Sequence, residues 1–431
     1  MLSIVVGIIT LIVLVYQRIS VIIAAPAAIT LVALLNGLAP TELLTGEYAA
    51  GVASFVEDFL FVFILGAMLG KIMTNSGAAQ TIAYHIIHTL GTKRGLSAVL
   101  ISSALLAYGG IPGFVLVFTI YPISLPVLKE ANLPRHFIPA LISGGVATVA
   151  IPMPGSPQVH NIIPMETFGT GALAGFSPGM AGVIVSFTLA LLYLEFRAKM
   201  ARASGQEFSS LGDESIVGIP PKDKTSSSNS DIQNPSLIKS LTPLIMVITT
   251  LSLLDVSVIV SLTLGVITGM ILFYNYIGSV QAIIITINNG IKDSLTPLLF
   301  AGSAVGFGLA LRSFPAFEGF LQSIIELSVD SLVVASLITN LGAAIMGSAS
   351  GGIVLTMSFA GENFLSGADP EALHRIVTMS SAVLDTVPFN NGYLAILAFT
   401  GLSLKDTYLD FFMVSVLIPA VGLLTSLFLF I

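Results

Sequence analysis

The chain contains no cysteine and very little charge. Without cysteine there is no disulfide, no thiol nucleophile and no cysteine-held metal. Charged residues make up only 9% of the 431 positions, against 55% hydrophobic residues and a mean hydropathy of +0.98. A soluble domain covers its surface with far more charge, so this composition belongs to a multi-spanning membrane protein whose first partner is the lipid bilayer. Apolar–polar alternation is also missing. The apolar runs are continuous, which excludes a lipid-facing β-barrel and leaves an all-α chain. No basic cluster marks a nucleic-acid site, and the net charge of −7 is modest. The stretch "GAMLGKIM" (66–73) lacks the spacing and hydroxyl of a phosphate loop, and neither GxGD nor HExxH occurs. An ATP-driven pump and an intramembrane protease are thereby set aside, and neither enzyme chemistry nor a cofactor is implied.

What is present is a pattern that occurs twice. Apolar segments lie near 2–16, 19–36, 48–73, 134–163 and 178–195, then near 238–254, 256–274, 284–312, 370–400 and 408–431. The first of them lacks a basic start and a cleavage site, so it reads as a retained span. A Ser-, Asp- and Lys-rich stretch with two adjacent prolines separates the halves. The expected organisation is a first repeat over 1–196, a linker loop over 197–237 and a second repeat over 238–431.

Within each half, two short apolar pieces flank a glycine-rich turn: "YGGIPG" (108–113) and "GSASGG" (347–352). Arms of 12 to 16 residues are too short to cross. They predict re-entrant hairpins over 94–130 and 331–366, tolerated at membrane depth only inside protein or beside water. Each hairpin precedes a span with a broken middle, "IPMPGSPQVHN" (151–161) within 134–163 and "DTVPFNNGY" (385–393) within 370–400. Gly66/Gly302, Gly70/Gly306, Pro134/Pro370 and Pro152/Pro388 share one offset of 236 residues, which supports an internal repeat.

Arg94, Lys129, Arg135, Arg197, Lys199 and Arg202 collect on one side of the predicted spans, whereas the other side keeps Arg312 and Arg375. The bias predicts both termini outside or periplasmic and the 197–237 loop cytoplasmic. With hairpins counted as no crossing, the two halves are inverted. The expected fold is therefore an all-α multi-spanning membrane protein of two inverted repeats, each with a re-entrant helical hairpin and a broken transmembrane helix.

Hairpin turns and helix breaks converging near the midplane supply free amides, small hydroxyls and half-helix N-termini, which together hold an anion without a buried lysine or arginine. The candidate substrate-binding residues are Gly109, Gly110, Pro112, Pro154, Gly155, Ser156, Gln158, Ser348, Ala349, Ser350, Gly351, Asn390 and Asn391. Asp385, Thr386, His160 and Asn161 are the candidates for coupling to H+ or Na+. Each has a plainer alternative. The serines and glycines can serve tight helix packing, the prolines a kink, Asn390, Asn391 and Asp385 a helix cap, and His160 a satisfied core position. Glu57, Asp58 and Asp293 fall near predicted span ends and read as interfacial. His85 and His88 sit on an amphipathic stretch with no third ligand to make a metal site.

"GGIPG", "MPGSPQVHNIIP", "GSASGG" and "LDTVPFNNG" resemble the signatures of the GntP-type gluconate permease family, part of the ion transporter superfamily, over about Gly66 to Asp410. The resemblance implies import of gluconate or a related hydroxy acid, usually with protons. It also implies a homodimer in the cell inner membrane whose scaffold stays fixed while a transport domain moves as an elevator. Where many members carry "PPHPGP" at the first break, this chain reads "IPMPGSPQ" (151–158). A Na+/H+ antiporter or an anion exporter on the same fold is the rival reading, and a passive anion channel a more distant one.

Overall fold

The structure, a computed structural model, describes residues 2–17, 19–91, 94–208, 234–254, 256–314, 330–359, 367–386 and 391–431. Among them all regular elements are helical. The first half runs α1 (Leu2–Tyr16), α2 (Val21–Leu35), α3 (Pro40–Asn75), α4 (Ala78–Leu90), α5 (Gly95–Tyr108), α6 (Gly113–Glu130), α7 (Ile138–Gly145), α8 (Val159–Phe168) and α9 (Phe176–Ala203). The second runs α10 (Leu237–Ser252), α11 (Val258–Ile277), α12 (Val280–Arg312), α13 (Ser331–Met346), α14 (Ala349–Phe359), α15 (Pro370–Ser381), α16 (Asn391–Thr400) and α17 (Leu404–Phe430). Helices α3, α9, α11, α12 and α17 are long and apolar enough to span a membrane.

The order of lengths recurs. Gly95 and Gly113 open α5 and α6, and 236 residues later Ser331 and Ala349 open α13 and α14. The long counterparts pack side by side and antiparallel. In the α3–α12 pair, Gly51 lies against Gly306 and Gly290 against Met68. The Lys71 ammonium meets the Asp293 carboxylate at 2.8 Å, and Asn75 donates to Thr286 at 2.9 Å. In the α9–α17 pair, Gly182 lies against Gly422, and one polar clasp closes the far end. There Arg197 donates to both oxygens of the buried Asp410 at 2.6 and 3.0 Å, and Tyr193 donates at 2.7 Å. Glycines where these helices touch let the backbones approach closely, the usual solution where lipid competes with leucine for apolar contact.

Helix α9 continues to Ala203, past the boundary expected at 196, because Ala198 and Ala201 still pack inward and Arg197 is held by Asp410. The stretch with His85 and His88 is helix α4, amphipathic as expected, with Ala79, Ile82, Ala83 and Ile87 buried and Tyr84 exposed. Within the former linker, residues 209–233 lie outside the described ones.

Both expected hairpins form tight helix pairs. In the second, a Cβ added to Gly352 would lie within 2.7 Å of Ala343, so the arms touch backbone to backbone. Both expected breaks are present. After α7 the helix widens into a π turn at Val146–Ala150, gives way to turns over 151–158 and resumes at Val159. After α15 the chain turns over 382–386; residues 387–390 of the expected break lie outside the described ones, and the next described helix begins at Asn391.

Candidate functional site

The first hairpin turn is made by Gly109, which ends α5, by Gly110 at φ +100°, and by Pro112, which precedes α6. The second is made by Gly347 at φ +57°, whose left-handed backbone ends α13, and by Ser348, whose hydroxyl accepts from the Gly351 N–H at 3.3 Å and so caps α14. Gln158 precedes α8 with extended backbone. Three helices of 18, 10 and 11 residues thus begin at a turn or break. Their first amides have no intrahelical acceptor, and each start carries the positive end of a helix dipole.

These three N-termini meet at one cavity of about 660 Å³. Its wall includes Gly110, Pro112 and Gly113 from the first turn, Gln158, Val159 and His160 from the first break, and Ser348, Ala349 and Ser350 from the second turn. Asp385 and Thr386 of the second break also line it, as do residues of α3 and α12. The two serine hydroxyls are 3.2 Å apart. Gln158 donates its amide to the carbonyls of Ala107 and Ile111 at 2.7 and 3.2 Å, tying the first break to the first hairpin. Tyr393 and Phe411 stack with ring centroids 3.6 Å apart on the same wall. The Nδ1 of His160 is buried with no hydrogen-bond partner among the described residues. Thr386 spends its hydroxyl on the Ser415 carbonyl at 3.2 Å.

Other expected residues lie outside this wall. Gly109 packs on Leu244, and Gly351 on Met346. The Pro154 carbonyl accepts from Tyr108 at 3.2 Å. Gly155, at φ +78°, is enclosed by Ser252, Leu173 and Tyr108. Ser156 is fully buried and donates to the Ala150 carbonyl at 2.6 Å. Asn161 is fully buried, donating to Ser156 and Ala172 while its oxygen accepts from Arg375 at 3.1 Å and faces the His374 Nε2 at 2.9 Å. Asn390 falls outside the described residues, and Asn391 begins α16.

Two placements differ from the sequence-based expectation. Arg375, counted above on an outer face, is fully buried and donates to the carbonyls of Ala174 and Pro152 at 2.9 and 3.1 Å, besides Asn161. Asp293, expected at a span end, lies well inside α12 because that helix begins earlier, at Val280. It lines the cavity with Lys71 and Lys292, so the cavity does contain basic groups, contrary to a site built from amides and hydroxyls alone. The available signal was a Lys–Asp pair inside a long apolar run, where ionisable residues are costly and usually functional.

A cavity lined by helix N-termini and small hydroxyls, in a helical membrane protein, is suited to holding an anion. The whole sequence, residues 1–431, matches the family described as GntP family permease. The chain belongs to the GntP permease family. It is a membrane-embedded transporter and not an enzyme, and the resemblance drawn from its motifs is borne out. An uncharacterized transporter of Bacillus subtilis strain 168, YxjC, is 29% identical over 93% of both chains. Shorter matches include the high-affinity gluconate transporter of Escherichia coli K12, 27% identical over 38% of this chain and 35% of that one. Another is the Gnt-II system L-idonate transporter of the same strain, 31% identical over 32% and 31%. Among solved structures, the Alcanivorax borkumensis YdaH transporter shares the fold with a TM-score of 0.59 at 16% identity, over 90% of this chain and 89% of that one.

Proposed function

We propose that this permease imports a small organic acid anion, gluconate or a related hydroxy or carboxylic acid, by cation-coupled symport through elevator-type alternating access. One observation carries the reading: both hairpin turns and both helix breaks line a single cavity, with three helix N-termini among them. A carboxylate leaving water needs such donors, because an unpaired charge in a dry site is expensive. The cavity's volume of about 660 Å³ falls inside the range of small-molecule sites. The relatives named for gluconate and L-idonate favour a hydroxy acid.

The antiparallel packing of α3 on α12 and of α9 on α17 supports two inverted repeats, since counterparts in an inverted pair cross in opposite directions. Asp385 and His160 lie on the cavity wall as the groups through which H+, or alternatively Na+, is coupled. The protein works as a homodimer in the cell inner membrane, with its termini outside.

A thermal-shift panel of gluconate, lactate and hydroxybutyrate, run with and without sodium, tests the site. Ser350→Ala is expected to weaken the affinity read from that stabilisation about tenfold, the loss of one hydrogen bond to a charged group. Stabilisation by none of these acids, together with proton release on adding a cation alone, would replace this reading by the antiporter one. Counterflow in proteoliposomes separates carrier from channel, since only a carrier accelerates exchange.

A further inference from the structure

A second cavity, of about 270 Å³, opens on four of the same helices. Its wall includes Asp58 and Phe59 of α3, Ile163 and Thr167 of α8, Arg312 of α12 and Val354 of α14. Each of these helices also lines the larger cavity, through Val62, His160, Phe300 and Ser350 respectively. On α3, α8 and α14 the two chambers are separated by about one helical turn. The side chains in that layer are apolar and buried: Phe59, Val62, Ile163 and Val354 all belong to one core cluster. A thin apolar layer between two chambers that each carry a few polar and charged groups is the arrangement an alternating-access path has when one side is closed.

Each chamber also holds an exposed cation with no ion pair among the described residues, Lys292 in the larger and Arg312 in the smaller. Both are on α12, 20 residues apart. At 1.5 Å per residue that is roughly 30 Å, the thickness of the hydrocarbon core. The two cations therefore stand at the far ends of the two chambers along α12, with the apolar layer between them. The acids of the larger chamber are Asp293, tied to Lys71, and Asp385 at the second break. Asp58 is the acid of the smaller one.

We infer that the smaller cavity is the opposite-face vestibule of the same anion path, with Lys292 and Arg312 as the cations that draw the anion toward the barrier from either side. This rests on the anion-carrier reading above. Low-dielectric walls strengthen the local field of a cation that no carboxylate pairs with, which raises the concentration of anions beside it.

The natural absence of cysteine makes the test direct. Lys292→Cys and Arg312→Cys are treated with an impermeant thiol reagent in intact cells and in inverted vesicles. Labelling from opposite faces is expected, and labelling of both from one face overturns the inference. Ser348→Cys and Thr167→Cys then report on each chamber's field. Adding Lys292→Gln to the first, or Arg312→Gln to the second, is expected to slow a sulfonate-bearing thiol reagent about tenfold at low salt. A trimethylammonium reagent should be no slower, Arg312→Lys should keep the sulfonate rate, and Asp58→Asn should raise it at Thr167→Cys. Sulfonate rates unchanged by neutralising either cation would also overturn it. None of these readouts needs a transported acid, so they fail independently of the acid panel that tests the carrier reading.

Discussion

The first helix break and the second hairpin turn are both polar interruptions of apolar helices, yet their polar groups have opposite fates. At the break, Ser156, Asn161 and the carbonyls of Pro152, Pro154 and Gly155 are engaged by protein: Ala150, Ala172, Arg375, Tyr108 and Ser252 supply the partners. At the turn, Ser348 and Ser350 bond chiefly to one another and face the cavity. A broken helix at membrane depth must satisfy the backbone groups it frees, so most of its polar residues serve as braces. Once a structure is braced, a neighbouring turn can leave hydroxyls and amides open to a ligand. Within the break, Gln158 and His160 are the polar side chains on the cavity wall, and the Gln158 amide nitrogen is itself spent on the Ala107 and Ile111 carbonyls.

The contrast can be broken most severely at Arg375. Arg375→Met strands the Pro152 and Ala174 carbonyls and the Asn161 oxygen in a dry interior, and a loss of about 3 kcal/mol is expected. A large fall in unfolding temperature in detergent would register it; an unchanged temperature would mean that the break is not braced from α15. Gly155→Ala comes next. Its φ of +78° and the nearby Ser252, Leu173 and Tyr108 atoms leave a Cβ strained, at a cost of about 2 kcal/mol. Ser156→Ala removes the bond to Ala150 and should cost about 1 kcal/mol, with anion stabilisation retained once the protein is folded. Ser350→Ala should barely alter the stability of the unliganded protein while weakening anion stabilisation. If Ser156→Ala and Ser350→Ala gave the same pattern, the distinction between brace and ligand donor would be lost.

Much of the architecture was legible without coordinates. The two hairpins came from arm length and glycine turns, and the two breaks from proline and asparagine inside apolar runs, because those signals are local and the bilayer permits few solutions. The family was legible from the same motifs. The residue-level site was legible only in part. Ser348, Ala349, Ser350, Gln158, His160 and Asp385 do line one cavity, but Ser156 and Asn161 were indistinguishable from them by residue type. Asp293 reads as interfacial from the sequence because α12 begins earlier than its hydropathy suggests, and only the packing of α3 on α12 brings Lys71 to it. Arg375 was misplaced because a lone arginine near a span end looks the same whether it points to water or into a helix break.

By itself the sequence determined that this chain is helical, crosses the membrane repeatedly and interrupts its helices at matched places. Those properties follow from hydrophobicity and backbone chemistry, which act over a few residues. Tertiary structure alone decided which freed donors are consumed and which remain open, since a donor's partner is chosen by helices more than 200 positions away, as Asn161 and Arg375 show.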